Sequence, residues 1–140
     1  MAKESGLSIT TLSVDDHLGA VKTIKNDITN FQFATPRGVQ DTTGVDKAAY
    51  ERILLLADFS ITLNGLFNDE TGMSHDVFKT VPSTAVARTV TITHSGQTIA
   101  PEVLFTDYAL TRAQDGSLTW QAPGLLASGT VPSWSLIWGS

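Results

Sequence analysis

The sequence predicts one mainly β domain, a β-sandwich or partial barrel with one flanking α-helix. Apolar residues alternate with Thr and Ser over several stretches, which is typical of half-buried strands. Thr is β-branched and suits a pleated, half-exposed surface. One segment of about three turns carries helical spacing, and no repeat, low-complexity tract or linker divides the 140 residues. That length fits a single domain, 1–140.

The other strands are expected to be arranged around one long strand near residues 57–68. Its apolar and small polar residues have opposite parity: Phe59, Ile61, Leu63 and Phe67 on one face, and Ser60, Thr62, Asn64 and Asn68 on the other. Asn64-Gly65 is also a strong hairpin signal, but a turn there need not carry the parity through to Phe67. We therefore interpret one strand with Gly65 as a bulge or a point of close backbone approach. The hairpin remains the alternative.

Before this strand, residues 1–14 are expected to form an N-terminal arm, in which Leu7 to Val14 is a short strand or orders on contact. Val21 to Ala34 is mostly strand, with a turn or bulge near Asn26-Asp27 that resets the alternation. Pro36 ends this strand because proline cannot continue a ladder. Residues 39–44 follow as a loop.

The flanking helix is predicted over about 46–57. Asp46 suits the N-cap, and Val45 and Tyr50 occupy the two positions of a hydrophobic staple. The apolar residues that follow helical spacing are Tyr50, Ile53, Leu54 and Ala57.

Three further segments follow the central strand. Ser74 is expected to cap a short helical turn over residues 75–79. Val86 to Thr93 alternates as a strand and ends at the turn Ser95-Gly96. Glu102 to Arg112 carries bulk on both faces, so we expect a long central strand that is covered on both sides.

The last part of the chain returns as a hairpin. The turn at Asp115-Gly116 leads into a strand from Ser117 to Ala122, which Pro123-Gly124 is expected to break. Residues from about 125 to 140 form a C-terminal extension. Its aromatic and leucine residues recur at period two, which indicates a strand: Trp134, Leu136 and Trp138.

Composition excludes several classes of protein. The chain has no cysteine, which excludes a disulfide scaffold, thiolate metal sites and a cysteine nucleophile. Its net charge of −5 lacks the positive footprint of a protein that grips nucleic acid by its phosphates. No apolar run is long enough to span a bilayer, and the first residues carry no signal-peptide core, so secretion by that route is not expected.

No motif indicates catalysis. His17, His75 and His94 are scattered, without partners at the spacing of a metal site. Nucleophile elbows, phosphate-cradling loops and dinucleotide fingerprints are absent from the sequence. We assign no catalytic, metal-binding or cofactor-binding residue and expect no cofactor and no enzyme activity. A hydrolase remains a third hypothesis without local support.

Isolated arginines and tryptophans are the other side chains of interest. Arg37, Arg88 and Arg112 are either solubilising surface residues or partners in ion pairs between subunits. The tryptophans could stack on single-stranded nucleic acid, but without basic neighbours we favour core and interface anchors: Trp120, Trp134 and Trp138. Our candidate interface residues are Arg88, Arg112 and Trp134.

The order of these features resembles the tail tube proteins (major tail proteins) of long-tailed bacteriophages. The segments that carry the resemblance are Ile28-Thr29-Asn30-Phe31, then Arg37, then Asp41-Thr42-Thr43-Gly44-Val45-Asp46, then the stretch from Ala57 to Asn68. The second half matches in the strand Arg88 to Ile92, the strand Val103 to Thr111, and the Asp115-Gly116 hairpin into Leu118-Thr119-Trp120. The resemblance covers roughly residues 20–124.

The resemblance implies a structural virion protein with a tail-tube-like fold. Six subunits would form a ring whose sheets join into one inner barrel, and the rings would stack into a tube that conducts DNA into the host. The partners would be further copies of the chain, other tail proteins and double-stranded DNA in transit, without sequence-specific binding or membrane insertion. The protein would be assembled in the host cytoplasm and reside in the phage tail.

The resemblance also implies roles for particular residues. The loop from Pro36 to Val45 is the candidate contact with a neighbouring ring, through Arg37, Gly38, Asp41, Thr42 and Thr43. The small polar face of the central strand, Ser60, Thr62 and Asn64, is the candidate lumen wall. Both terminal segments, 1–14 and 125–140, are expected to contact other subunits. A mildly acidic wall suits a conduit for a polyanion, because like charge discourages sticking.

An alternative function is a small-molecule or carbohydrate-binding β-sandwich module. Trp120 and Trp134 would supply its binding platform.

Overall fold

The computed structural model describes residues 5, 7 and 9–136. Within them the chain is mainly β with one α-helix, as the sequence predicts. The strands are β1 (Ile9–Asp15), β2 (Val21–Thr23), β3 (Ile28–Ala34), β4 (Arg37–Asp41), β5 (Arg52–Ala57), β6 (Ser60–Leu66), β7 (Arg88–His94), β8 (Gln97–Ile99), β9 (Glu102–Phe105), β10 (Ala109–Arg112), β11 (Leu118–Leu126) and β12 (Trp134–Leu136). Helix α1 is Ser74–Phe78, and 3₁₀ turns occupy Lys25–Asp27 and Val81–Ser83.

Ten of these strands form one antiparallel sheet that folds over into two layers. The first layer runs β10-β11-β6-β3. Strands β10 and β9 both pair with the same edge of β11, β10 with its first half and β9 with its last residues. The second layer runs β2-β1-β7-β8-β12. The layers are joined where Arg88 and Thr89 of β7 pair with Val103 and Glu102 of β9. The remaining strands, β4 and β5, form a separate two-stranded sheet.

The core lies between the two layers. Its buried side chains come from both layers and from α1: Leu12, Val14, Ile24, Phe59, Ile61, Leu63, Val77, Phe78, Val90, Ile92, Ile99, Val103, Trp120 and Ala122. Burial of this cluster is the main stabilising contribution to the fold.

The central strand continues through Asn64-Gly65, so the single-strand interpretation is confirmed and the hairpin alternative is wrong. The strand is shorter than predicted, since β6 includes neither Phe59 nor Phe67 and Asn68. Ile61 and Leu63 are buried, whereas the polar residues between them are partly exposed. Gly65 is a point of close approach: a Cβ there would collide with the backbone oxygen of Asp27 and lie 2.7 Å from the Trp120 ring. Only glycine fits at this position.

Strand β11 passes through Pro123-Gly124, so the predicted break is wrong. The carbonyl oxygen of Pro123 accepts a bond from Thr106 N–H, 3.1 Å away, which lies in the interval between β9 and β10. A residue's N–H and C=O point to the same side of an antiparallel strand. An N–H at position 123 would point into the gap between β9 and β10. Proline, which has no N–H, therefore costs the sheet no hydrogen bond there.

The helix predicted over 46–57 does not form. Residues 52–57 are strand β5, paired with β4, and Asp46 lies in a turn where Lys47 N–H donates to the Gly44 carbonyl at 3.1 Å. The run Ile53 to Leu56 is apolar at every position, so it satisfies helical spacing and strand spacing alike. The flanking helix of the fold is instead α1, where a short helical turn was predicted. The predicted cap is wrong, because Ser74 is the first helical residue and Met73 is the N-cap.

The long strand predicted from Glu102 to Arg112 is two strands. Residues 106–108 interrupt it, β9 pairs with β7 and β11, and β10 pairs with β11 alone among the described strands. The bulky residues on both faces therefore do not place β10 in the centre of the sheet. It is an edge.

Helix α1 is held against the layers by two buried polar residues. Asp27, in the predicted phase-resetting turn, accepts bonds from the Ser74 N–H at 3.0 Å and the Asn68 amide at 2.9 Å. Arg88 donates to the carbonyl oxygen of Val77 and to the Thr80 hydroxyl.

Both terminal segments contribute strands. In the N-terminal segment, residues 9–14 belong to β1, which is the strand alternative for this part of the arm. The period-two prediction for the tail is confirmed for Trp134 and Leu136 in β12, whereas Trp138 lies outside the described residues.

Candidate assembly surfaces

The outer surface of the first layer is small, polar and uncharged. We call it the polar face; its members are Asn30, Gln32 and Ala34 of β3, Ser60, Thr62 and Asn64 of β6, Thr119, Gln121 and Pro123 of β11, and Ala109 and Thr111 of β10. Strand register sets them side by side, so that Asn30, Asn64, Gln121 and Ala109 form one row across four strands. The Asn64 amide donates to the Asn30 side-chain oxygen at 2.8 Å.

Both ends of the polar face carry exposed leucines. Leu66 of β6 is the cross-strand partner of Thr119 at one end. Leu125 of β11 and Leu104 of β9 are cross-strand partners at the other, and both are substantially exposed. The sequence-predicted residues Ser60, Thr62 and Asn64 therefore lie together in the middle of a wider uncharged surface. Sequence parity identified one strand of it, but not the three strands that continue it.

The first layer has a free strand edge on each side. Within the described part of the chain, β3 pairs only with β6 and β10 pairs only with β11. Each edge presents unpaired backbone donors and acceptors, which is the usual template for pairing with another chain. The layer is thus open on opposite sides of its polar face.

A two-stranded hairpin extends from one end of the first layer, where it connects β3 to β6. We call residues 37–57 the hairpin arm. It carries exposed apolar side chains on both faces: Val39 and Leu54 are cross-strand partners on one, Ile53 lies on the other, and Leu55 and Leu56 follow at an irregularity in the pairing. Leu56 is 90% exposed, which is exceptional for leucine in a strand and indicates a surface that a partner covers.

The base of the hairpin arm is fixed by Arg37. Its guanidinium donates twice to the Leu55 carbonyl oxygen, at 3.0 and 2.8 Å. Asp58 N–H also donates to the Pro36 carbonyl at 2.9 Å. Arg37 therefore orients the arm rather than offering a free charge at its surface.

The Asp-Thr-Thr-Gly motif closes the outer end of the arm. Asp41 accepts bonds from the Thr43 hydroxyl at 2.6 Å and from its N–H at 2.9 Å, which holds the pKa of the Asp41 carboxyl below its usual value. Thr43 in turn accepts from the Glu51 N–H at 2.8 Å. The predicted loop of residues 39–44 is wrong for residues 39–41, which belong to β4. Of the five candidate inter-ring residues, Arg37, Gly38 and Asp41 lie in β4, and Thr42 and Thr43 lie beyond it.

The three candidate interface residues have different environments. Arg88 is 2% exposed and donates its bonds inside the chain, so it is unavailable to a partner and the interface assignment for it is wrong. Arg112 is exposed at the end of the edge strand β10. Trp134 is half exposed, and its ring lies 5.8 Å from that of Phe33.

Trp120 is enclosed in the core, which counts against the ligand-binding alternative. Its indole N–H donates to the Leu66 carbonyl at 2.9 Å, and its ring packs on Phe78 at 5.1 Å between centroids. A stacking platform needs an exposed ring face, and Trp120 has none.

His75 of α1 and Tyr108 are two titratable side chains in contact. His75 Nδ1 lies 3.2 Å from the Tyr108 hydroxyl, and burial, with the charge of Asp27, raises the pKa of Tyr108 to about 12. No three His, Asp or Glu side chains of the described residues converge as metal ligands. Within the same residues, no helix is long and apolar enough to cross a membrane.

The fold is similar to that of chains from gene transfer agent particles. The chain superposes on a chain from the tail of an empty gene transfer agent particle, refined with C6 symmetry, with a TM-score of 0.73 and 16% identity over 96% of this chain and 98% of that one. It also superposes on a chain from the virion of a native gene transfer agent particle, with a TM-score of 0.67 and 15% identity over 95% and 99%. No family model and no curated protein matches the sequence. The chain has the fold of these particle proteins, as the resemblance predicted.

Proposed function

We propose that the chain is the tail tube subunit of a phage or phage-like particle. The observation that carries the proposal is the four-stranded layer β10-β11-β6-β3, which has an uncharged outer face and a free edge on each side. A layer of this kind is suited to a closed ring of copies, because closure pairs every edge. The fold likeness to a tail with C6 symmetry supports six copies.

The direction of the strands suits such a ring. The four strands alternate in direction, so β3 and β10 run antiparallel to each other. A rotation about the ring axis preserves each strand's sense along that axis. The β3 edge of one copy therefore meets the β10 edge of the next in the antiparallel sense.

The expected size of the barrel fits the proposed conduit. Six copies of four strands make 24 strands. With strands about 4.8 Å apart and tilted by about 40°, the barrel is roughly 48 Å across between backbones, which leaves a lumen of roughly 35–40 Å inside the side chains. That is wider than a DNA duplex.

The polar face forms the lumen wall in this proposal, with Ser60, Thr62 and Asn64 at its centre. An uncharged wall in an acidic protein gives the DNA phosphates no cationic partner, so DNA passes without sequence-specific binding. The hairpin arm, with its apolar residues, contacts the next ring of the stack. The particle tail is the location, after assembly in the host cytoplasm.

The test is an image of the assembled protein. The purified chain, alone and co-expressed with the other tail proteins of its particle, is examined by negative-stain electron microscopy. Rings or tubes with a central channel support the proposal. A chain that stays monomeric at high concentration in both preparations refutes it.

A further inference from the structure

An apolar groove lies beside the free edge of β3, on the core side of the first layer. It has a volume of about 550 Å³ and is lined by the apolar Leu7, Ile9, Leu12, Ile28 and Phe31, with the polar Lys25, Thr29 and Asn30 at its margin. The Lys25 ammonium donates to the Ile9 carbonyl oxygen at 3.1 Å. Phe31 is the cross-strand partner of the buried Leu63, which fixes the side of the sheet on which the groove opens. We call it the β3 groove.

An exposed leucine occupies the opposite edge of the same layer. Leu110 of β10 is the cross-strand partner of the buried Trp120, so it also lies on the core side. It is nevertheless 46% exposed, because β10 is an edge strand with no described strand beyond it, and Leu110 lines an open cleft there with residues such as Val81 and Pro82. Edge strands are usually blunted by charge or proline, and a leucine there indicates a partner.

We infer that Leu110 of one copy seats in the β3 groove of the next copy in the ring. The inference rests on the proposed function and names the contact that closes each junction between copies. When β10 of one copy pairs with β3 of the next, the two layers become one sheet with a shared core side. Leu110 and the groove lie on that side, one at each partner's edge, so the exposed leucine meets an apolar surface.

The contact is heterologous, because a leucine at one edge meets a groove at the other edge. Each copy therefore carries one leucine face and one groove face, and a ring closes when every leucine is seated. This arrangement allows each face to be disabled separately.

The experiment uses one variant for each face. Leu110→Asp disables the leucine face by placing a charge in an apolar site, and Ile9→Asp disables the groove in the same way. Leu110→Met keeps the size and polarity of the leucine. Leu18→Asp is the matched control, since Leu18 is 80% exposed in the turn between β1 and β2.

We expect each disabled variant to stay monomeric at roughly tenfold the concentration at which the unmodified chain forms rings, the shift expected for a loss of about 1.4 kcal/mol or more at each junction. Leu110→Met and Leu18→Asp should form rings as the unmodified chain does. An equimolar mixture of Leu110→Asp and Ile9→Asp has one working junction, so amine cross-linking should capture dimers and nothing larger. Circular dichroism and the unfolding temperature of each monomer verify folding.

If Leu110→Asp formed rings at the same concentration as the unmodified chain, the inference would be overturned and the proposed function would remain intact. A mixture that yields no dimers would also overturn it, as would an Ile9→Asp variant that forms rings but not tubes, since the groove would then receive the hairpin arm. If the unmodified chain itself forms neither rings nor tubes, alone or with tail partners, the proposed function fails first.

Discussion

Shortening two leucines of the hairpin arm should prevent tubes without preventing rings. In the double variant Leu54→Ser, Leu56→Ser, the arm loses its two most exposed leucine side chains. The arm is a sheet of its own, paired with no other strand, so this change should leave the folded chain intact.

The magnitude follows from exposure. Full burial of a leucine contributes about 1.5–3 kcal/mol. Leu54 and Leu56 are 59% and 90% exposed in the isolated chain, so most of that contribution is still available when a neighbouring ring covers them. The pair should therefore contribute about 2–4 kcal/mol to each docked arm, or roughly 30- to 1,000-fold in its dissociation constant.

Sedimentation and negative-stain microscopy across a concentration series measure this effect. The variant should form rings at the same concentration as the unmodified chain, but it should require at least about 30-fold more protein than the unmodified chain to form tubes. The control Lys47→Ala removes an exposed ion pair of 3.7 Å at the outer end of the arm and should change neither threshold. Tubes at the unmodified concentration would refute the role of the arm, and a fall in unfolding temperature would refute its independence from the core.

Three further predictions concern stability, the lumen and the end of the arm. Gly65→Ala should lower the unfolding temperature by about 3–10 °C in a thermal melt, because the new methyl group collides with Asp27 and Trp120 at an overpacking cost of about 1–3 kcal/mol. The control Gly38→Ala should have a much smaller effect, because a methyl group there makes ordinary contacts of 3.4 Å. Thr62→Arg should leave tubes intact but give them salt-dependent binding to duplex DNA in a filter assay, which Thr62→Ser should not; unchanged DNA retention would contradict the lumen assignment. The pKa of Asp41 is depressed in the folded chain by its hydrogen bonds from Thr43. Its contribution to stability is therefore present above the unfolded pKa of 3.8 and is lost as pH falls through the lower folded pKa. The amide resonance of Thr43 should shift in that acidic range, and it should not shift in Asp41→Asn.

The strands with strict alternation were predictable from sequence because burial there follows a simple rule. In β6 and β7 one parity is covered by the opposite layer and the other is not, so local spacing carries the answer. The Gly65 close approach was predictable in kind, since glycine within an alternating strand signals contact with another backbone. Its partners, Asp27 and Trp120, are distant in sequence and could not be identified.

The helix predicted over 46–57 was wrong for a physical reason that bears on function. Sequence patterns assume that apolar residues face the chain's own core, and Ile53 to Leu56 do not. Four consecutive apolar residues leave spacing uninformative, and the hydrogen bonds from Arg37 to Leu55 that favour the strand link residues 18 apart. The prediction of one central strand from Glu102 to Arg112 failed for a similar reason. Leu110 is apolar, but its own chain does not fully cover it.

Both errors share one cause, which is that the described chain leaves part of its own apolar surface uncovered. In the proposed assembly other copies cover that surface. A subunit with long adhesive edges would aggregate before it assembled. Here two of the adhesive elements are small: β10 has four residues and ends in the exposed Arg112, and the hairpin arm has only two strands. A single contact of that size binds weakly, but a copy in a ring makes two edge contacts at once, and a copy in a stack adds its arm. Assembly then depends on several weak contacts forming together, so a low-charge chain with exposed leucines can remain dispersed until a template holds the first ring in place.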